Sequence, residues 1–75
     1  MYHTVEFAVE TVIDLEISRK DRLELVLIKQ GTRLKAQVKP YVVETEDGPV
    51  EVADLYFDDG TSTSQIRFEL FSFVD

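Results

Sequence analysis

The sequence predicts an all-β domain built as a small antiparallel meander of five to six strands. The first observation is that apolar and polar residues alternate with a period of two along most of the chain, as they do in half-buried strands. The second is that all three glycines lie in turn-like dipeptides between β-rich runs, at Gln30-Gly31, Asp47-Gly48 and Asp59-Gly60. The third is the length, because 75 residues allow only one core. Residues 1–75 are therefore expected to form a single globular domain.

The first strand-like run covers residues 5–17. Its odd positions, from Val5 to Ile17, are apolar or β-branched, and acidic residues such as Asp14 and Glu16 lie between them. β-branched residues favour strands, which argues against a helical interpretation of the same segment. Thirteen alternating residues are long for one strand, so we expect a bend or bulge near Glu10–Val12.

Residues 23–28 admit two interpretations. Ser18 followed by Asp21 resembles a capping box and Gly31 could end a helix, so a short helix around residues 19–30 is possible. The alternative is a strand that forms a hairpin across Gln30-Gly31 with the alternating segment Arg33–Lys39. The strand is favoured, and the helix stays open.

The second half contains three further runs, Tyr41–Thr45, Val50–Phe57 and Thr63–Val74, separated by turns at 46–49 and 58–60. The Asp-Gly dipeptides in these turns favour type I′ hairpins, in which both central residues have positive φ. The three runs are therefore expected to be consecutive neighbours in one sheet.

Two local features of this half affect closure of the sheet. The apolar phase changes between Leu70 and Phe71, which predicts either a bulge or a strand covered on both faces. Pro40 should mark a bend or an edge, since proline cannot donate to a ladder. Strands with such tight connections close most simply as a small SH3-like barrel or as a strongly bent sheet, and closure would remove exposed edges.

The residues that would carry chemistry are scarce. The chain has no cysteine, which excludes disulfides, thiolate metal sites and thiol nucleophiles, and its one histidine, His3, lies near the terminus. No phosphate-binding loop or dinucleotide-binding motif occurs. The carboxylates near the last two turns could attract a cation, but their spacing matches no known calcium loop. We expect no catalytic residue, no cofactor and no designed metal site.

The charge is acidic overall but unevenly distributed. Eight Lys and Arg against fifteen Asp and Glu give a net charge of −7, yet residues 19–39 hold seven of the eight basic side chains. Because affinity for phosphates comes mostly from Lys and Arg, the total disfavours a general nucleic-acid binder. No apolar run is long enough to cross a bilayer. The first residues also lack the features of a signal peptide, so a cytoplasmic location is expected.

These observations favour a small binding or adaptor module that acts through contacts with a protein partner or with a second copy. A late strand that is apolar on both faces needs two covers, and one cover could be a partner. The expected contact residues are the late aromatics together with the basic face of one strand: Tyr56, Phe71, Phe73, Arg33, Lys35 and Lys39.

Two alternatives stay open. The first is an acidic mimic of nucleic acid that occupies the groove of a basic protein, provided that its carboxylates line one face: Glu44, Glu46, Asp47, Glu51, Asp54, Asp58 and Asp59. The second is direct binding of single-stranded nucleic acid by the basic strand, although Tyr41 is the only aromatic residue close to it in sequence.

Overall fold

The computed structural model describes residues 1–17 and 22–75, which form seven strands and one short 3₁₀ helix. In chain order these elements are β1 (His3–Phe7), β2 (Thr11–Ile17), β3 (Arg22–Ile28), β4 (Arg33–Thr45), β5 (Gly48–Phe57), β6 (Thr61–Arg67), the 3₁₀ helix (Phe68–Leu70) and β7 (Phe71–Phe73). The strands make one antiparallel sheet in the order β3-β2-β6-β5-β4-β1-β7, which curls into a half-barrel. The all-β prediction is confirmed, and the bent sheet is the form that the chain adopts.

The consecutive strands β4, β5 and β6 form the predicted meander, but its turns differ from the predicted type. In the β5–β6 turn the Gly60 N–H donates to the Phe57 carbonyl at 3.2 Å, and Gly60 has φ +89°. Asp58 and Asp59 do not have positive φ, because Gln65 is the one non-glycine residue with it in the described ranges. The type I′ prediction is therefore wrong: only the glycine that follows each turn takes the left-handed conformation.

The long first run is two strands that do not pair with each other. β1 lies between β4 and β7, whereas β2 lies between β6 and β3. Residues 8–10 carry the chain from one region of the sheet to the other, close to where a bend was expected. The alternation survives this crossing, because Phe7 and Ile13 both point into the core.

Residues 22–28 are strand β3, so the helical alternative is wrong for this segment, while its possible start at 19–21 lies outside the described residues. The predicted hairpin with Arg33–Lys39 is also wrong. β3 pairs along its whole length with β2, from Thr11 opposite Ile28 to Ile17 opposite Arg22. The Gly31 dipeptide forms a corner instead, where the Gly31 N–H donates to the Phe7 carbonyl at 2.9 Å.

The phase change after Leu70 comes from the 3₁₀ helix, and neither of the two predicted explanations is correct. β6 ends at Arg67, and the helical turn redirects the chain so that β7 pairs with β1, far from β6 in the sheet. Phe71 lies opposite Phe7 in this pairing. The late aromatic run is therefore two elements with different neighbours.

The core lies inside the curl of the sheet. Its largest fully buried side chains include Phe7, Leu55 and Val5. Every strand contributes inward-facing residues to the core, whereas the outward residues of β6 and the outer row of β3 take no part in it. β3 and β7 are the two edges of the described sheet, so the half-barrel does not close on itself. Full barrel closure, one of the two expected outcomes, does not occur in the described residues.

Candidate functional site

The predicted basic residues lie on the outward face of β4, as expected. Arg33 is opposite Glu6 of β1, and its Nε donates to a Glu6 carboxylate oxygen at 2.8 Å. Lys39 is opposite Asp54 of β5, and its Nζ lies 5.0 Å from the centre of the Tyr56 ring. Neighbouring strands thus place acidic and aromatic groups beside the basic row. Exposed ion pairs of this kind add little stability, but they do reduce the local positive charge.

The two late phenylalanines have different surroundings. Phe71 is 4% exposed and packs against Phe7 and Phe68, with ring centres 6.4 and 5.2 Å away. Phe73 is 48% exposed and lies beside the His3 ring at 5.1 Å. Phe71 is therefore a core residue, whereas about half of Phe73 is accessible at the edge. The six predicted contact residues are divided among the outer face of β4 and β5, the core and the edge at β7.

A hydrogen-bonded cluster joins β4, β5 and β6 on the outward face. The Tyr41 hydroxyl donates to Asp54 Oδ1 at 2.7 Å, and the Gln65 N–H donates to the same oxygen at 3.2 Å. The hydrogen bond to this carboxylate raises the pKa of Tyr41 above its ordinary value. Gln65 and Ser64 together oppose Asp54 in a β-bulge, so the cluster holds the bulge in place.

The carboxylates proposed as a nucleic-acid mimic do not form one row. Glu51 lies opposite Val42 and Asp54 lies opposite Lys39, which places these two acids on opposite faces of β5. The acids at residues 46–47 and 58–59 lie at opposite ends of β5, a strand of ten residues that spans about 30 Å. This arrangement lacks the single acidic face that the hypothesis requires.

An apolar outer surface on the β2–β3 hairpin was missed by the sequence analysis. Leu23, Leu25 and Leu27 of β3 are 66%, 75% and 52% exposed, and Val12 of β2, opposite Leu27, is 61% exposed. Exposed acids lie in the same face, since Asp14 is opposite Leu25 and Glu16 is opposite Leu23. We call Val12, Leu23, Leu25 and Leu27 the leucine surface.

A sequence signal for the leucine surface was present. Residues 23–28 read Leu-Glu-Leu-Val-Leu-Ile, so both faces of the strand carry apolar residues. Such a strand needs a cover on each side. In the structure the core around Ile28 covers the inner face of β3, whereas no described element covers its outer face, where the three leucines lie.

β3 is also an open edge. Among the described residues it pairs with β2 alone, so every second residue directs its N–H and C=O away from the sheet. Natural edges are commonly protected by proline, bulges, short length or charges. β3 has seven residues in unbroken register with β2, and its protection is the Arg22–Glu24 ion pair at one end, 2.5 Å between Nη2 and Oε1.

A small cleft opens inside the curl beside β3. It has a volume of about 190 Å³ and an apolar lining that includes Ile13, Leu15, Val26, Ile28, Leu34 and Phe57. Asp58, Asp59 and Thr61 add polar atoms to its wall, and Lys35 also contributes to it although it alternates with the inward residues of β4. Asp59 accepts hydrogen bonds from the Thr61 hydroxyl and N–H at 2.5 and 3.0 Å, and these bonds lower the pKa of its carboxyl group.

Comparisons of the chain with family models, curated proteins and solved structures found no match. Within residues 1–17 and 22–75, no three His, Cys, Asp or Glu side chains lie close enough together to hold a metal ion. The same ranges contain no helix that is long and apolar enough to span a membrane. Function is therefore inferred from the geometry of the surfaces described above.

Proposed function

We propose that this chain is a small protein-binding module without catalytic activity, and that it binds its partner at the β2–β3 hairpin. A partner segment in extended conformation adds to the sheet as the next strand beside β3. The observation that carries this proposal is the leucine surface on an open edge strand, where Leu25 is 75% exposed.

The backbone of β3 supports strand addition. The outward-directed N–H and C=O groups of an edge strand can form a ladder with any extended segment, and peptide-binding domains use this mode widely. β7, the other edge, has only three residues and offers few such groups. The seven residues of β3 make it the better docking edge.

The leucine surface supports the same conclusion through its hydrophobicity. A strand added beside β3 lies in the same layer, and its outward side chains contact Leu23, Leu25 and Leu27 from the side. Full burial of a leucine side chain contributes about 1.5–3 kcal/mol, so even partial burial of these three leucines adds to the binding free energy. Contiguous exposed apolar patches of this kind often mark interaction sites.

The proposal is tested with a matched pair of variants. Leu25→Lys places a charge in the leucine surface, and Val42→Lys makes the same change at a valine of β4 that is 60% exposed. Both positions lie on the surface, so each variant should change the free energy of unfolding by no more than about 0.5 kcal/mol. We expect immobilised Leu25→Lys to lose proteins that the unmodified chain and Val42→Lys both retain from an extract of the native source. Equal retention by all three would contradict the proposal.

A second candidate function is supported by the contact between Lys39 and Tyr56. Tyr56 and nearby Tyr41 thus lie on the outward face of β4 and β5 together with the basic side chain of Lys39. Aromatic and basic side chains together form platforms that stack and hold single-stranded nucleic acid. Fluorescence anisotropy with a short single-stranded oligonucleotide at low salt tests this candidate. Binding that Tyr56→Ala weakens would support it, and no binding would end it.

A further inference from the structure

We propose that the partner segment is an extended stretch of apolar and basic residues and that it inserts one large apolar side chain into the cleft beside β3. This inference rests on the proposed function, because the cleft is reached by a strand that has added to the β3 edge. The kinds of side chain that the added strand carries are thereby specified for both of its faces.

The position of the cleft relates it to the edge. Val26 and Ile28 line the cleft from β3 itself. Neighbouring strands lie about 4.8 Å apart, and directly opposed side chains have Cβ atoms about 4.5–5.5 Å apart on the same face. A residue of the added strand opposite Val26 or Ile28 therefore points towards the cleft. Its neighbours along that strand point outward, beside Leu25 and Leu27.

The size of the cleft suits one side chain. Its volume of about 190 Å³ lies below the range of about 300–1,000 Å³ that is typical of small-molecule sites. An apolar cavity of about 150 Å³ can hold a benzene molecule, so the space is sufficient for a phenyl ring or a leucine side chain. The lining from Leu15, Leu34 and Phe57 matches such a group in polarity.

The exposed acids of β2 and the charge of the whole chain favour a basic segment. Asp14 and Glu16 are exposed beside the leucine surface, whereas Glu24 on the inner face of β3 is already paired with Arg22. Residues 11–28 together hold four acidic and three basic side chains, so the local excess of acid comes from β2. The whole chain carries a net charge of −7, which attracts cationic segments over longer distances. Lysine or arginine residues among the apolar residues of the partner would complement these carboxylates.

The same charges argue against a second copy as the occupant. If two β3 strands paired with their leucines in register, Leu25 would face its counterpart and Leu23 would face Leu27. Each copy would bring its net charge of −7 to the interface, where the two copies would repel each other. A separate cationic partner avoids this cost.

The test uses synthetic peptides as probes. Each is capped at both ends, is as long as the seven residues of β3, and alternates leucine with lysine. In one peptide a central lysine is replaced by phenylalanine, and in its control the same position holds alanine. A third peptide has glutamate in place of every remaining lysine. Binding is followed by fluorescence anisotropy and by the amide NMR signals of the isotope-labelled full chain.

We expect the phenylalanine peptide to bind at least about tenfold more tightly than the alanine peptide and to shift the amide signals of β3. The glutamate peptide should not bind. Val26→Phe, which fills the cleft from within, should remove the advantage of phenylalanine over alanine. Leu34→Phe provides a second filled cleft if the first variant folds poorly, and Val42→Phe is the matched control at an exposed valine.

The outcomes separate this inference from the proposed function. If the phenylalanine and alanine peptides bind β3 equally well, the cleft has no role, although docking at the edge stands. If neither peptide shifts the β3 signals, both the inference and the proposed function fail. Tight binding of the glutamate peptide would overturn the charge assignment. Concentration-dependent dimerisation through β3 in sedimentation experiments would identify a second copy as the occupant and overturn the inference.

Discussion

At the scale of single residues, Phe71 and Phe73 show how position within a sheet decides what a side chain does. Both point to the same face of β7. Phe71 lies opposite Phe7 and belongs to the core cluster, whereas Phe73, the last residue of this edge strand, lies opposite the buried Val5 but outside that cluster, at the margin of the sheet. Their exposed fractions, 4% and 48%, differ accordingly. Two identical side chains in one short strand should therefore contribute very different amounts to stability.

We expect Phe71→Ser to lower the free energy of unfolding by about 3–5 kcal/mol, because it removes a buried ring and leaves a cavity. Phe73→Ser, its matched control, should cost about 1 kcal/mol, since much of that ring is already in water. Urea denaturation of the two variants and the unmodified chain measures both values. Equal losses would contradict the assignment of Phe71 to the core and Phe73 to the margin.

The backbone conformation of Gln65 leads to a second prediction about stability at this scale. Its φ of +57° lies in the left-handed region, which costs a residue with a Cβ atom about 1–2 kcal/mol. The hydrogen bond to Asp54 comes from the backbone N–H of Gln65, so glycine would keep it. After allowing for the greater freedom of glycine in the unfolded chain, Gln65→Gly should raise stability by about 0.5–1 kcal/mol.

Ser64→Gly is the control for this substitution, because Ser64 lies in the same bulge without positive φ. It should lower stability, since glycine adds only unfolded-state freedom there. Thermal unfolding of both variants distinguishes the two effects. A loss of stability in Gln65→Gly as large as that in Ser64→Gly would show that the bulge is not strained.

At the scale of elements, the β5–β6 turn leads to a prediction about how the stability of the chain depends on pH. The hydrogen bonds from Thr61 lower the pKa of Asp59 below its ordinary value of 3.8. A carboxyl group with a lowered pKa in the folded state adds stability above the pKa of the unfolded chain. That contribution is lost as the pH falls through the folded pKa. Thr61→Val removes the hydroxyl donor and keeps the N–H donor, so the pKa of Asp59 should rise part of the way back.

An NMR titration of the Asp59 carboxyl group in both proteins measures this change. The variant should also lose less stability on acidification below about pH 4, because the pKa values of its folded and unfolded states are closer together. An unchanged pKa in Thr61→Val would mean that the hydroxyl does not hold the turn.

The strands themselves show what the sequence could and could not predict. Alternation identified which residues face inward in β2 and in the first half of β4, because that pattern is local. It could not identify the neighbours of each strand. β1 and β2 read as one continuous run, yet residues 8–10 separate them into distant positions in the sheet. The glycine at 31 predicted a turn correctly, but the turn is a corner between strands that do not pair.

The candidate site was harder to predict than the fold for the same physical reason. Leu23, Leu25 and Leu27 are surface residues only because β3 lies at the edge and no described element covers its outer face. In a central, doubly covered strand the same residues would be core. Whether an apolar row is buried or exposed depends on long-range topology, which a single sequence pattern does not contain. The basic row of β4 was placed correctly because alternation alone determines its face.

At the scale of the whole molecule, the sheet distributes charge and edges unequally. The basic row of β4 lies between β1 and β5, where Glu6 and Asp54 oppose Arg33 and Lys39. Part of the basic segment is thus neutralised within the sheet. Acidic groups near the hairpin, Asp14 and Glu16 among them, stay exposed beside the leucine surface. Attraction of a cationic segment is therefore expected at the hairpin more than at β4.

The half-barrel also ends in two edges of different length. β7 has three residues, whereas β3 has seven and lacks proline or a bulge. Short edges are a common protection against unwanted pairing, and long regular edges are not protected in this way. The molecule as a whole therefore offers one long edge for strand addition.

Residue-resolved amide hydrogen exchange of the dilute, unliganded chain tests most directly whether β3 is an open edge. The central strand β5, paired on both sides, should show protected amides along most of its length. In β3 we expect alternation: residues bonded to β2 are protected, and those between them exchange at close to their intrinsic rates. Uniform protection along β3 would mean that this edge is already paired in solution, and it would contradict docking by strand addition.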